Sequence, residues 1–166
     1  MKRFVQAIDH LTERVGQATT WLSSLLVLVV CYDVFTRYLL NKSTVAVQEL
    51  EWHIFAILFL LAMPYGFKYD RHVRVDVLYT RFSPRTRQMI NFWGTILFLI
   101  PFSMVVIWAS AQFVWSSFLI RETSPDPGGL PARYLIKLII PISFFLLFLQ
   151  GVGYAIKTGQ QLFKKG

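Results

Sequence analysis

Four ionisable residues interrupt the first two apolar stretches of this chain, namely Asp33, Arg37, Glu49 and His53. Asp33 and Arg37 are four residues apart and would share one face of a helix. A charged group inside a bilayer costs about 2.5–3.5 kcal/mol on insertion scales, so such groups usually pair. Counted back from the turn at 41–43, Arg37 and Glu49 lie at similar depths, and Asp33 and His53 lie deeper. We therefore predict a buried Asp33/Arg37/Glu49 cluster that ties two spans together, with His53 capping it.

An ion or proton relay is the functional alternative for these residues. A relay requires ionisable groups at several depths, and the centres of the third and fourth apolar stretches have none. The sequence therefore favours a structural cluster over a coupling site. Glu51 cannot share a helical face with Glu49, so it is expected to face another subunit or the outer surface.

The remaining residues give little indication of a cofactor-binding site. Haem held by two histidines would need both inside the membrane, but His10 and His72 lie outside the apolar stretches. Cys31 is the single cysteine, so there is no CxxCH motif. Asp70, His72 and Asp76 are the best ligand set, and a solvated segment explains them more simply. We expect no catalytic residue, cofactor or metal.

Four long apolar stretches must position these side chains. The chain has 166 residues, 55% of them hydrophobic, against about 45–50% in soluble domains. Each stretch reaches the roughly 20 residues that a membrane span needs, and a soluble bundle would show a polar face on every helix. We predict a single all-α integral membrane domain over residues 1–166 with four transmembrane helices, at about 18–40, 44–67, 88–115 and 134–157.

The segment before the first span carries its own pattern. Phe4, Ile8, Leu11 and Val15 form one helical stripe, which predicts a short amphipathic helix on the membrane surface. Proline is expected to modify two spans, because it removes a backbone hydrogen bond inside a helix. Pro64 should bend or end the second span, and Pro101 could kink the third, which is too long for the bilayer unless it tilts, kinks or projects.

The basic residues fall unevenly on the two sides of the predicted spans. Twelve lie in the two terminal segments and the segment at 68–87, and five lie around the 41–43 turn and the loop at 121–133. The positive-inside rule places the richer side in the cytoplasm. Both termini and Asp70, His72, Arg74 and Asp76 would then be cytoplasmic. A basic pI can indicate nucleic-acid binding, but this alternating placement is typical of membrane topology instead.

The opposite side would present a loop rich in proline and glycine. Residues 121–133 contain three prolines and two glycines, which favour a structured turn over a helix. The loop also carries two acidic residues and is a candidate docking element. Its predicted site residues are Glu122, Asp126, Gly128, Gly129, Leu130 and Pro131.

Three ordered motifs give the chain a family resemblance. It resembles the small permease subunit of tripartite ATP-independent periplasmic (TRAP) transporters, the DctQ-like proteins, over about residues 18–155. The matching motifs are Gln48-Glu-Leu-Glu-Trp52, Lys68-Tyr-Asp-Arg-His-Val-Arg-Val-Asp76 and Ser124-Pro-Asp-Pro-Gly-Gly-Leu-Pro131, together with Arg37, Arg133, Lys137, Pro141 and Leu149-Gln150-Gly151.

The resemblance implies a function for the chain. It implies a non-catalytic subunit of a sodium-driven importer of organic acids in the bacterial inner membrane. The subunit would scaffold a large multi-span permease subunit and help to dock a periplasmic solute-binding protein, with membrane lipid as a further partner. Two alternatives stay open on the residues alone, a membrane anchor of a redox complex and a stand-alone small carrier.

Overall fold

The computed structural model describes residues 2–69 and 82–163, apart from the side chains of Lys2 and Phe163. The secondary-structure elements of these residues are all helices. They are α1 (Lys2–Leu39), α2 (Val45–Lys68), α3 (Pro84–Gly94), a π-helical turn (Thr95–Leu99), α4 (Ile100–Leu119) and α5 (Arg133–Phe163). Because α3, the π turn and α4 follow without interruption, they make one long third helix. Within the described residues, four helices are therefore long and apolar enough to cross a membrane.

The first helix is continuous, with no separate surface helix before the predicted span. Its 38 residues extend about 57 Å at 1.5 Å per residue. The buried stripe is Val5, Ile8 and Thr12, whereas Phe4 and Leu11 of the predicted stripe are about half exposed. The polar Thr12 therefore belongs to the packed face of this segment, because the segment contacts neighbouring helices.

Proline acts differently at the two predicted positions. The second helix continues past Pro64, which is fully buried, and ends at Lys68, so an early end at this proline was a wrong expectation. In the third helix the π turn lies directly before Pro101. A proline ring collides with the carbonyl four residues earlier, and a wider turn relieves this contact.

A left-handed residue closes α1 before the hairpin to α2. Asn41 has a φ of 50°, and the Lys42 amide donates to the Thr36 carbonyl at 3.0 Å. The Leu40 amide donates to the same carbonyl at 3.2 Å, so the two bonds together satisfy a carbonyl at the helix end. Asparagine tolerates the left-handed region better than most residues, so the 41–43 turn can reverse the chain sharply.

Close packing between the helices depends on small residues. Gly16 on α1 lies against the Tyr65 ring of α2, and a Cβ at this glycine would overlap the ring. On α4, Ser103, Ser110 and Ser117 recur every seven residues and are all buried. Small side chains let helix backbones approach, which is the usual basis of packing inside a membrane. The last helix, α5, contacts all of the others.

Large apolar side chains cover the outside of this bundle. Trp21, Tyr38 and Phe98 are 79%, 75% and 74% exposed, while few aliphatic side chains are fully buried. In water such a surface would be an aggregation hazard. In lipid it is the expected outer surface of a helical bundle.

Candidate functional site: two polar networks at the ends of the bundle

The predicted intramembrane cluster begins with an ion pair within α1. An N–H group of the Arg37 guanidinium donates to Oδ2 of Asp33, one helical turn away. The Asp33 carboxylate is 2% exposed, and its second oxygen is buried without a hydrogen-bond partner. The Arg37 side chain is 42% exposed. Asp33 and Arg37 therefore form the pair that their spacing predicted, and among the described residues no hydrogen bond or ion pair extends it to α2.

Glu49 has different partners from those that the sequence predicted. Its Oε1 accepts a hydrogen bond from the Ser124 hydroxyl at 2.5 Å, and its Oε2 accepts from the Leu130 amide at 2.5 Å. The guanidinium of Arg133 lies 3.3 Å from Oε1. Because the carboxylate is 4% exposed, these three donors replace water around a buried charge.

The predicted four-residue cluster is therefore divided, and Arg37 does not pair with Glu49. Depth along a hairpin fixes how far a residue lies from the turn, but not the direction in which its side chain points. Glu49 faces α5 and the loop at 121–133, which lies more than seventy residues away in sequence. His53 stays within its own helix, where Nδ1 donates to the Glu49 carbonyl at 2.5 Å.

The loop above Glu49 is closed by its own backbone. The Arg133 amide donates to the Glu122 carbonyl at 2.9 Å, the Ser124 amide to Leu130 at 3.1 Å, and the Gly129 amide to Asp126 at 3.0 Å. Positive φ angles of 48° at Arg121, 81° at Gly128 and 59° at Ala132 make the bends. The loop is consequently a structured element, as its composition predicted.

Gly129 lies where the loop packs tightly between Ser124 and Glu49 of α2. A Cβ at this position would overlap the Ser124 hydroxyl and approach the Glu49 carboxylate. The neighbouring Gly128 has open space around it and is required only for its left-handed backbone. The two glycines therefore have separate purposes, since one permits a close approach and the other a bend. Pro131 and Asp126 are exposed at the surface of the loop.

A second carboxylate fixes the base of the loop. The Lys137 ammonium of α5 donates to Glu122 Oε2, and the Ser117 hydroxyl of α4 donates to the same oxygen at 2.6 Å. Both bonds lower the pKa of Glu122, and the bond from Lys137 has the larger effect. We call the whole set the loop network, consisting of Glu49, Ser117, Glu122, Ser124, Leu130, Arg133 and Lys137.

The sequence did not predict a second network at the opposite end of the bundle. Asp9 of α1 accepts from Lys157 at 2.5 Å and from Gln150 at 3.1 Å, both on α5. The Thr12 hydroxyl donates to the Gln150 side-chain oxygen at 2.9 Å. These contacts join residues about 140 positions apart in sequence, so spacing alone could not reveal them.

Lys68 extends this second network to α2. Its ammonium donates to the Asp9 carbonyl at 3.1 Å and to Glu13 at 2.5 Å. Glu13 also accepts from the Tyr69 hydroxyl at 2.6 Å, and this bond raises the pKa of Tyr69 to about 12. We call this set the terminal network, consisting of Asp9, Thr12, Glu13, Lys68, Tyr69, Gln150 and Lys157.

One signal could have indicated the terminal network. Gln150 stands in an otherwise apolar stretch and is 3% exposed, and Thr12 lies on the buried stripe of α1. A buried amide needs hydrogen-bond partners, so a hydrogen bond between Gln150 and Thr12 could have been predicted. The other predicted polar segment, with Asp70, His72, Arg74 and Asp76, lies outside the described residues.

Four long apolar helices with polar networks at both ends define a multi-pass membrane protein. The comparison with protein families then identifies its kind. Residues 26–160 match the DctQ component of tripartite ATP-independent periplasmic transporters, and the chain therefore belongs to that family. It is a component of a transporter in the inner membrane, as the sequence motifs predicted. No curated protein matches the chain.

Proposed function

We propose that this chain is the non-catalytic small subunit of a sodium-driven, binding-protein-dependent importer of organic acids. In this role it scaffolds the large permease subunit and helps to dock the periplasmic binding protein. One observation carries the proposal. The networked ionisable side chains serve to hold helices and one loop together, while the outer surface is apolar and aromatic.

A carrier would need a different distribution of polar groups. Transport sites for anions and sodium lie near the midplane, between discontinuous helices. Here the paired carboxylates of both networks lie near helix ends, and each already has donors within the chain. This arrangement is consistent with a scaffold of four fixed helices. The exposed aromatic side chains are available to pack against a larger membrane partner.

The proposed orientation rests on the distribution of basic residues. The positive-inside rule puts both termini in the cytoplasm and the loop at 121–133 in the periplasm. The loop network supports a docking role there, because a loop fixed by Glu49 and Glu122 loses little conformational entropy on binding. Asp126 is exposed on this loop and makes no side-chain bond in the network.

Reconstitution tests the scaffold role directly. The chain and a large DctQ-partner permease subunit are expressed together, purified and placed in liposomes with the binding protein. We expect the two membrane subunits to co-purify and sodium-driven uptake to require both. Uptake by this chain alone would contradict the proposal and favour a small carrier, and a Soret band in the purified chain would favour a redox anchor.

A charge reversal tests the docking role of the loop. Asp126→Lys should weaken uptake at low binding-protein concentration but leave subunit co-purification unchanged, because Asp126 is exposed. Lys42→Glu, in the other turn at the same end of the bundle, serves as the matched control. Equal effects of both variants, or none, would show that the loop does not dock the binding protein.

A further inference from the structure

A groove separates α2 from α5 beneath the loop network. It has a volume of about 240 Å³ and is partly open to the surroundings. Seven residues line it, which are Trp52, Ala56 and Leu60 of α2 and Arg133, Ile136, Lys137 and Ile140 of α5. Arg133 and Lys137 also belong to the loop network, whereas the five apolar lining residues do not.

The groove combines an apolar strip with a cationic end. On α2 the lining residues recur every fourth position, so they form one continuous face. The stretch from Arg133 to Ile140 extends about 10 Å along the helix. Both cations lie at the end near the loop, and the lining contains no carboxylate. This polarity fits a ligand with an anionic head and an apolar tail.

The two cations retain hydrogen-bonding capacity. Arg133 makes one weak hydrogen bond, at 3.3 Å, to Glu49, whose carboxylate is held more closely by Ser124 and Leu130 at 2.5 Å. A guanidinium has five N–H donors and an ammonium has three. Lys137 uses one of its donors for Glu122. The Arg133 and Lys137 side chains are 24% and 17% exposed, so part of each is accessible from the groove.

We infer that this groove is a binding site for one anionic phospholipid of the surrounding leaflet. The phosphate accepts hydrogen bonds from Arg133 and Lys137, and one acyl chain lies along Ala56, Leu60 and Ile140. Trp52 is at the headgroup end, where tryptophan is enriched in membrane proteins. Each basic side chain near a membrane surface favours anionic lipid by about 1 kcal/mol, so the two together correspond to a preference of roughly thirtyfold over zwitterionic lipid.

Native mass spectrometry identifies the retained lipid. The full chain is reconstituted in nanodiscs containing equal amounts of phosphatidylglycerol and phosphatidylcholine, then released in the spectrometer. We expect one retained phosphatidylglycerol per chain, in excess of phosphatidylcholine by roughly thirtyfold. Equal retention of both lipids, or retention of none, would overturn the inference.

Matched variants locate the bound lipid. Ile140→Trp fills the apolar strip and should remove the retained lipid, whereas Leu135→Trp changes an exposed position of the same helix outside the groove and should not. Lys137→Gln should abolish the preference for phosphatidylglycerol, whereas Arg121→Gln, a basic loop residue outside the groove, should keep it. If Ile140→Trp does not fold, Ala56→Leu replaces it.

The same lipid measurement is repeated on the complex with the large subunit. Retained phosphatidylglycerol in that complex supports a structural lipid of the assembled transporter. Loss of the lipid on co-purification would show that a side chain of the large subunit occupies the groove, and that result would overturn the inference. Because the lipid assay uses the chain alone, its failure leaves the scaffold proposal intact, and failure of co-purification leaves the lipid assay interpretable.

Discussion

The two polar networks hold the bundle together in different ways. In the loop network, a carboxylate that is 4% exposed is surrounded by a hydroxyl, a backbone amide and a more distant guanidinium. In the terminal network, ion pairs join three helices and are partly exposed, with Lys157 at 47%. Buried charges with missing partners are far costlier than exposed ones. The comparison indicates that the loop network fixes the conformation of the loop, while the terminal network makes a modest contribution to the stability of the helix bundle.

Removal of Glu49 should give the largest effect. Glu49→Leu leaves the Ser124 hydroxyl, the Leu130 amide and Arg133 without their acceptor, and we expect a loss of about 3–5 kcal/mol in the free energy of unfolding. Denaturant titration in mixed micelles measures it, and protease cleavage at 121–133 should increase. Glu51→Leu is the control, because a Glu51 oxygen is buried without a partner and its removal should cost little. Equal losses in both variants would contradict this prediction.

Gly129→Ala should have the next largest effect. Its Cβ would overlap the Ser124 hydroxyl, and overpacking of this kind costs about 1–3 kcal/mol. We expect a lower melting temperature and a more protease-sensitive loop. Gly94→Ala is the control, since nothing lies near that position and alanine favours a helix. A melting temperature unchanged by Gly129→Ala would show that the loop can move away from Glu49.

In the terminal network Lys68 should matter more than Lys157. Lys68 is 18% exposed and bonds to both Asp9 and Glu13, so Lys68→Met should cost about 1–2 kcal/mol. The exposed pair of Lys157 and Asp9 should contribute about 0–1 kcal/mol. The same denaturant titration compares both variants. A larger loss for Lys157→Met would reverse the order of the two contacts.

The pH dependence of Glu122 should be the smallest effect. Its pKa is below the ordinary value of 4.5 because Lys137 and Ser117 donate to the carboxylate. The stabilisation is therefore present above that ordinary value and is lost as the pH falls through the lowered pKa. Melting temperatures of wild type and Glu122→Gln should differ at neutral pH and converge as the pH falls below that ordinary value. Asp126→Asn is the control, and a constant difference across this range would contradict the assignment.

Prediction from sequence succeeded for features that depend on residue patterns within one segment of the chain. The four spans follow from apolar length, the Asp33–Arg37 pair follows from helical spacing, and the loop follows from its prolines and glycines. The direction of Glu49 did not follow, because a hairpin's depth does not specify rotation about the helix axis. The terminal network was also missed, since Asp9 and Lys157 meet only after the last helix packs beside the first.

The sequence alone thus determined that lipid surrounds this protein, how many times the chain is able to cross it, and the family to which it belongs. These properties depend on composition and spacing within segments of about 20 residues. Only the tertiary structure decided which charges on different helices meet, because partners separated by 55 to 148 positions are chosen by helix rotation and packing. The groove between α2 and α5 has the same origin, since each helix supplies only half of its lining.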